Sequence, residues 1–181
     1  MPPVVIRPAT RDDLPGVMAI EQASFVPGLR ETLPTYRARL DLYAQGFLVA
    51  EQAGLLIGFI TSGRWATAEG MAAERFAIDH HPAKHYRADG DLLYFSALAV
   101  SSAARGHGTG AGLLDRLVAI HTPGVRAALL VVARGWSAAR QAYARAGFAE
   151  HTLLPGFFRA EDATEDDGLV LRRQLGGSGI S

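Results

Sequence analysis

The sequence predicts an α+β layered domain around a central mixed sheet. Strand-like apolar runs alternate with helical periodicities in the order β, two helices, a strand meander, then βαβαββ. Most helical stretches carry a start or stop signal of their own. The 181 residues suit one domain, which buries roughly 70% of its unfolded surface.

Val4 to Arg7 reads as the first strand. Thr10, with Asp13 three residues on, resembles a capping box opening a helix that turns Leu14, Val17 and Met18 inward. Leu33, Tyr36, Leu40 and Tyr43 have the spacing of one buried helical face, stopped by Gly46. Phe47 to Glu51 and Leu55 to Thr61 are strands joined around Gln52-Ala53-Gly54. From Gly63 to Gly90 the periodicity disappears, and a connection of that length is functional or disordered. Leu92 to Val100 is a strand, Gly108 to Ile120 a helix, Arg126 to Ala133 a strand, and Ser137 to Ala146 a helix closed by Gly147. Ala149 to Leu154 and Gly168 to Leu175 are the last strands, flanking an acidic loop. Residues 1–175 form one domain, and 176–181 a flexible tail.

Composition narrows the function. Basic and acidic residues balance at 18 each, which gives no general field for nucleic acid or an anionic membrane. Lys84 is the only lysine, an imbalance that base composition explains better than phosphate recognition. The absence of cysteine excludes disulfides, thiolate nucleophiles and Cys-ligated metals. The N-terminus lacks the pattern of a signal peptide, and no apolar stretch approaches the ~20 residues of a membrane helix, so a cytoplasmic protein is expected.

The most informative stretch runs from Ala97 to Leu114. An apolar strand enters the turn Arg105-Gly106-His107-Gly108-Thr109-Gly110, which opens a helix. Glycines let the backbone take positive φ and approach a ligand, and the free N–H groups at a helix start bind anions. Arg105 adds a fixed positive charge. No Gly-Lys-Ser/Thr follows, so this is not a nucleotide-hydrolase loop. The position after a meander also argues against a dinucleotide fingerprint. Four glycines between Gly106 and Gly112, each weakening a helix by roughly 1 kcal/mol, point to a ligand.

Arg105-x-x-Gly108-x-Gly110 resembles the Arg/Gln-x-x-Gly-x-Gly/Ala motif of the GNAT superfamily of N-acetyltransferases. Ala139-x-x-x-Tyr143-x-x-x-Gly147-Phe148 resembles a second motif of that family, in the right order and separation. The resemblance implies an α/β/α fold whose mostly antiparallel sheet splays between the fourth and fifth strands. It also implies acetyl-coenzyme A as co-substrate, without a metal. The pyrophosphate would lie on Arg105, Gly106, His107, Gly108, Thr109 and Gly110. The pantetheine arm would lie along Leu98, Ala99 and Val100, near Ala139 and Tyr143. One departure is Trp136, where the family often has Asn.

Within the family, Ile20-Glu21-x-x-x-Phe25, the long loop (64–90, on the substrate side) and Ala97-Leu98-Ala99-Val100 are similar to the arylalkylamine (serotonin) and polyamine acetyltransferase-like branch. The acceptor implied is a small amine, and family members often form homodimers. Tyr143 is the candidate to protonate the leaving thiolate. Better-known members of the branch carry two histidines where Tyr94 and Ser96 stand here. Those two residues could order a water chain, but neither is a good base near neutral pH. Glu21, on the inward side of the first helix, is a further candidate at the acceptor pocket. His80, His81 and His85 have imidazoles of suitable pKa, although a solvated loop is the plainer reading. Glu161, Asp162, Glu165, Asp166 and Asp167 could attract a cation or simply be solvated. Trp65, Phe95, Phe157 and Phe158 belong either to an apolar pocket or to the core. The alternatives to a small-amine acetyltransferase are a protein N-terminal or lysine acetyltransferase and a non-catalytic coenzyme A-binding module.

Overall fold

A computed structural model describes residues 2–67, 70–160 and 165–176. Its strands are β1 (Val5–Pro8), β2 (Phe47–Gln52), β3 (Leu55–Trp65), β4 (Leu92–Val100), β5 (Ala127–Ala133), β6 (Ala149–Arg159) and β7 (Glu165–Gln174). The helices are α1 (Leu14–Ser24), α2 (Leu33–Leu42), α3 (Thr109–His121) and α4 (Ser137–Arg145). The strands form one sheet in the order β1-β2-β3-β4-β5-β7-β6. The pair β4–β5 is parallel and the other neighbours are antiparallel. This is the mixed, mostly antiparallel sheet that the sequence predicts.

Amphipathic helices cover both faces. Leu113, Leu114 and Leu117 of α3 are buried against Leu48, Ile60, Leu93 and Phe95, with Ala139 and Tyr143 of α4 on the same face. Each such leucine contributes about 1.5–3 kcal/mol through burial. On the opposite face Val17 and Ile20 of α1 and Tyr36 and Leu40 of α2 pack on Phe47, Val49, Phe59 and Ala99. Pro15 and Pro34 stand in the first turns of α1 and α2, where a missing N–H costs nothing.

A β-bulge in β4 decides which residues face which layer. Thr61 pairs with Ala97 and Ser62 with Phe95, which leaves Ser96 as the extra residue. Before it, Leu93 and Phe95 face α3. After it, Leu98 faces α3 while Ala97 and Ala99 face α1 and α2. The period-2 alternation is shifted by one residue.

Four sequence expectations change. β3 continues past Thr61 to Trp65, because Arg64 and Trp65 still pair with Leu93 and Leu92. The connection therefore starts at Ala66, and it is a built segment with 3-10 turns at Ala73–Phe76 and Pro82–Lys84. Its ends meet at Gly90, where a Cβ would come within 2.5 Å of the Trp65 carbonyl oxygen. β6 and β7 run further toward each other than the periodicity shows. Arg159 pairs with Glu165 and Phe158 with Asp166, so Glu165, Asp166 and Asp167 belong to a strand rather than a loop. Leu33 is exposed at the first turn of α2, and Arg39 is buried in its stead. Glu161, Asp162 and the tail beyond Gly176 lie outside the described residues.

Candidate active site

β4 and β5 pair only from Leu92–Ala127 to Phe95–Leu130. Beyond Phe95 the two strands separate, and from Ser96 to Val100 the β5-facing edge of β4 has no strand beside it, while its other edge stays paired with β3. The gap opens a cleft of about 600 Å³ lined by Ser96 to Val100, Leu130 to Val132, Ala139 and Tyr143. Its further walls are Glu21, Phe25 and Glu31, the segment Phe76 to Ile78, and Trp136, Phe157 and Phe158. The sequence singled out residues on both sides of this gap, and the fold brings them together there.

At one end stands the glycine turn. Gly108 caps α3 with φ 83°, and Gly106 has φ 79°, both in the left-handed region. Nothing approaches within 4 Å of where a Cβ would stand on either. The first N–H groups of α3 have no intrahelical partner by the geometry of a helix start, and the dipole adds positive potential. The Arg105 Nε donates to the Val100 carbonyl (3.0 Å), which fixes the exposed guanidinium at the cleft. The His107 Nδ1 lies 2.9 Å from the Arg105 carbonyl and braces the turn. A charged diphosphate fits here, and an extended amide-bearing arm fits the unpaired edge of β4.

At the other end lies a buried polar network. Glu21 is 1% exposed and lines the cleft. Its Oε1 accepts from the Glu31 backbone N–H (2.8 Å), and its Oε2 accepts from the Tyr36 hydroxyl (2.9 Å). Burial pushes the carboxyl up to about 7, although both donors favour its ionised form. Beside it the Arg39 guanidinium engages both oxygens of Glu31, at 2.5 and 3.3 Å. The same Glu31 carboxyl is raised by burial and pulled back by Arg39. Asp79, from the connection after β3, accepts from the Thr32 N–H and hydroxyl (2.9 and 3.0 Å) and ties that segment to the start of α2.

Tyr143 lines the cleft from the α4 side with its ring edge-on to Phe148. Burial pushes its hydroxyl up to about 12, so it stays protonated at neutral pH. Tyr94 also borders the cleft, stacked on Trp65 with 3.9 Å between ring centroids. Burial raises its pKa, which removes it further from the range of a base. Ser96, the bulge residue, shares a hydrogen bond with the Thr61 hydroxyl (2.7 Å).

Two of the three loop histidines take packing positions, and His81 is exposed. His80 and His85 lie against Trp65, whose ring also carries the Arg75 guanidinium at 4.4 Å. Burial lowers the His80 imidazole to about 4. The His81 Nδ1 accepts from the Ala83 N–H. Among the described residues no cluster of His, Asp or Glu is arranged to hold a metal ion. Asp166 and Asp167 brace the site from behind. They accept from the Gly135 N–H (2.7 Å) and from Arg134 and the Gly156 N–H, and so fix the entry to α4.

The sequence signalled the glycine turn, Tyr143 and Glu21. It did not signal Tyr36, Glu31 or Arg39 as parts of the site, because their partners are set by packing of α1 against α2. Nor did it show what Trp136 does. The Trp136 ring lies 6.2 Å from Phe25 at the end of α1 and 5.5 Å from Phe158 of β6, an aromatic bridge at the cleft. Phe95, Phe157 and Phe158 line the cleft, while Trp65 lies under the connection after β3.

The model of the acetyltransferase (GNAT) family matches residues 14–148. Among solved structures, the ribosomal-protein-S18-alanine N-acetyltransferase of Escherichia coli superposes with a TM-score of 0.75 at 18% identity, over 99% of this chain and 98% of that one. NAA60 of Arabidopsis thaliana, in complex with a bisubstrate analogue, gives 0.77 at 21% identity, over 97% and 100%. The GphF GNAT-like decarboxylase, in complex with isobutyryl-CoA, gives 0.77 at 20% identity, over 95% and 100%. At such identities the likeness is one of fold. No curated protein matches the chain.

Proposed function

The chain belongs to the acetyltransferase (GNAT) family, and from that premise we propose that it transfers an acetyl group from acetyl-coenzyme A to a small primary amine. An arylalkylamine is favoured over a polyamine. The observation that carries this reading is the cleft itself, with an anion-binding turn at one end and a buried carboxylate among aromatic rings at the other. Glu21 and Glu31 are the acidic residues lining it among the described ones, and Arg39 already neutralises Glu31. One anion therefore remains for one ammonium, and Phe25, Trp136 and Phe158 offer apolar surface beside it. A polyamine needs further counter-charges.

The chemistry follows from these positions. An alkyl ammonium has a pKa near ~10, so its proton must be removed before attack. Glu21, raised to about 7, is a better base than an ordinary carboxylate and takes that proton. The neutral amine attacks the thioester carbonyl, the C–N bond forms and the C–S bond breaks. Backbone N–H groups on the open edge of β4 near Leu98 meet the developing oxyanion. Tyr143 donates a hydrogen bond to the departing thiolate, and the surplus proton on nitrogen passes to sulfur through it. Glu21 returns its own proton to solvent. Holding both reactants in one cleft supplies much of the acceleration.

A second reading, acetylation of a protein α-amino group, is supported by the names of the ribosomal-protein-S18-alanine enzyme and its kind among the structural neighbours. The segment Phe76 to Ile78, held at Asp79, forms one wall of the cleft and supports the small acceptor. The deciding experiment is thiol release from acetyl-CoA over a panel of arylalkylamines, polyamines, amino acids and short peptides. Turnover of arylalkylamines is expected. Turnover of peptides alone would replace the first reading by the second, and coenzyme binding without any turnover would remove both. We place the catalytic unit within residues 1–175 and assign it to the cytoplasm. Among the described residues no helix is long and apolar enough to cross a membrane.

A further inference from the structure

We infer that Tyr36 is a positioning residue for the transfer: its hydroxyl, together with the Glu31 amide, holds the Glu21 carboxylate ionised and turned to the cleft. The inference rests on Glu21 as the base of the proposed reaction.

The geometry gives the hydroxyl no other task. The Tyr36 ring is fully buried between Phe47 (6.0 Å between centroids) and Phe59 (5.4 Å, edge-on). A phenylalanine would fill that space equally well and would need no hydrogen-bond partner. The hydroxyl is nevertheless there, and it donates to Glu21 Oε2 at 2.9 Å. A buried donor aimed at a buried carboxylate favours the charged form, against the burial that disfavours it. Burial and the neighbouring carboxylates hold the Tyr36 proton well above its usual titration range, so the donor persists at every working pH. The second oxygen, Oε1, is held by the Glu31 N–H, and the two donors together fix the plane of the carboxylate.

Other charges around the network come from several elements. Arg30 and Glu31 lie on the α1–α2 connection, where Arg30 favours ionised Glu21 and Glu31 opposes it. Arg39 on α2 neutralises Glu31. Asp79 on the connection after β3 acts on Glu31 rather than directly on Glu21, and Glu31 in turn raises the Tyr94 hydroxyl on β4. Tyr36→Phe replaces none of these groups.

The test is the pH profile of kcat/KM for Tyr36→Phe against the parent protein, with acetyl-CoA affinity measured in parallel. The acidic limb is expected to move to higher pH by about one unit. Activity would then fall about 10-fold on the limb and recover at high pH, with coenzyme affinity unchanged. A packing role alone lowers activity equally at every pH, and an unmoved limb overturns the inference. Should Tyr36→Phe fail to fold, 3-fluorotyrosine at position 36, a stronger donor, must move the limb to lower pH; no shift overturns the inference. Glu21→Gln separates the two levels of the argument. If it keeps the acidic limb, Glu21 is not the base and the underlying reading fails; if it loses the limb while the Tyr36 variants leave it in place, only the present inference fails.

Discussion

The two ends of the cleft are built on opposite plans. The end proposed for the coenzyme is made from backbone, from two left-handed glycines, a helix start and the β5-facing edge of β4, with one exposed arginine beside them. The end proposed for the acceptor is made from side chains buried between α1, α2 and the connection after β3. A backbone site binds a constant partner and depends little on which side chains surround it. A side-chain site can change its partner by one substitution, at a large cost in stability when a charge is left alone.

That contrast can be tested from the largest effect downward. Arg39→Met leaves the Glu31 carboxylate buried without its counter-ion, and a loss of about 3–5 kcal/mol is expected in urea unfolding. Glu31→Gln added to it should restore much of the loss; no restoration would mean that Arg39 acts through packing alone.

Glu21→Gln tests the acceptor end through stability. Because the folded pKa is raised to about 7 from 4.5, the carboxyl's contribution is fully present below pH 4.5 and is lost as pH rises through 7. The variant should therefore gain on the parent by up to about 3 kcal/mol between pH 5 and pH 8.5. Melting curves at the two pH values show it, and a constant difference would mean that Glu21 titrates in its ordinary range.

Tyr143→Phe addresses the junction of the two ends. A fall of about 10- to 100-fold in kcat is expected, with acetyl-CoA affinity nearly intact. A fully active variant removes Tyr143 from the reaction.

Arg105→Ala is expected to have the smallest effect, a rise of about 10-fold in the acetyl-CoA dissociation constant that shrinks at high salt. The backbone donors remain in this variant. A loss of all binding would mean that the coenzyme end depends on side chains after all.

The same contrast explains what the sequence could reveal. Glycine spacing and a strand running into a helix are local signals, so the turn from Arg105 to Gly110 was legible. So were the order of strands and helices and the inward placing of Glu21. The partners of Glu21 stand ten and fifteen residues away, on a connection and a second helix. Nothing in a periodicity announces that a glutamate and an arginine will be buried together. Trp136 was legible only as a departure; that it spans from Phe25 to Phe158 needed three elements to be folded side by side. The hairpin β6–β7 was cut short for a related reason. Glu165, Asp166 and Asp167 read as loop by composition, whereas cross-strand pairing and the Arg159–Glu165 ion pair keep them extended.

The bulge at Ser96 makes the site depend on a count of residues as well as on their kinds. Exchanging Ser96 for another small residue alters two hydrogen bonds to Thr61, one to its hydroxyl and one to its carbonyl. Deleting it would leave Phe95 opposite Ser62 and Ala97 opposite Thr61, so the bulge would go while every residue beyond it kept its face. Leu98 would still meet α3, and Ala97 and Ala99 would still meet α1 and α2. The strand thus carries one spare residue at Ser96, and a deletion there should be tolerated better than one at Leu98, which would turn Ala99 toward α3.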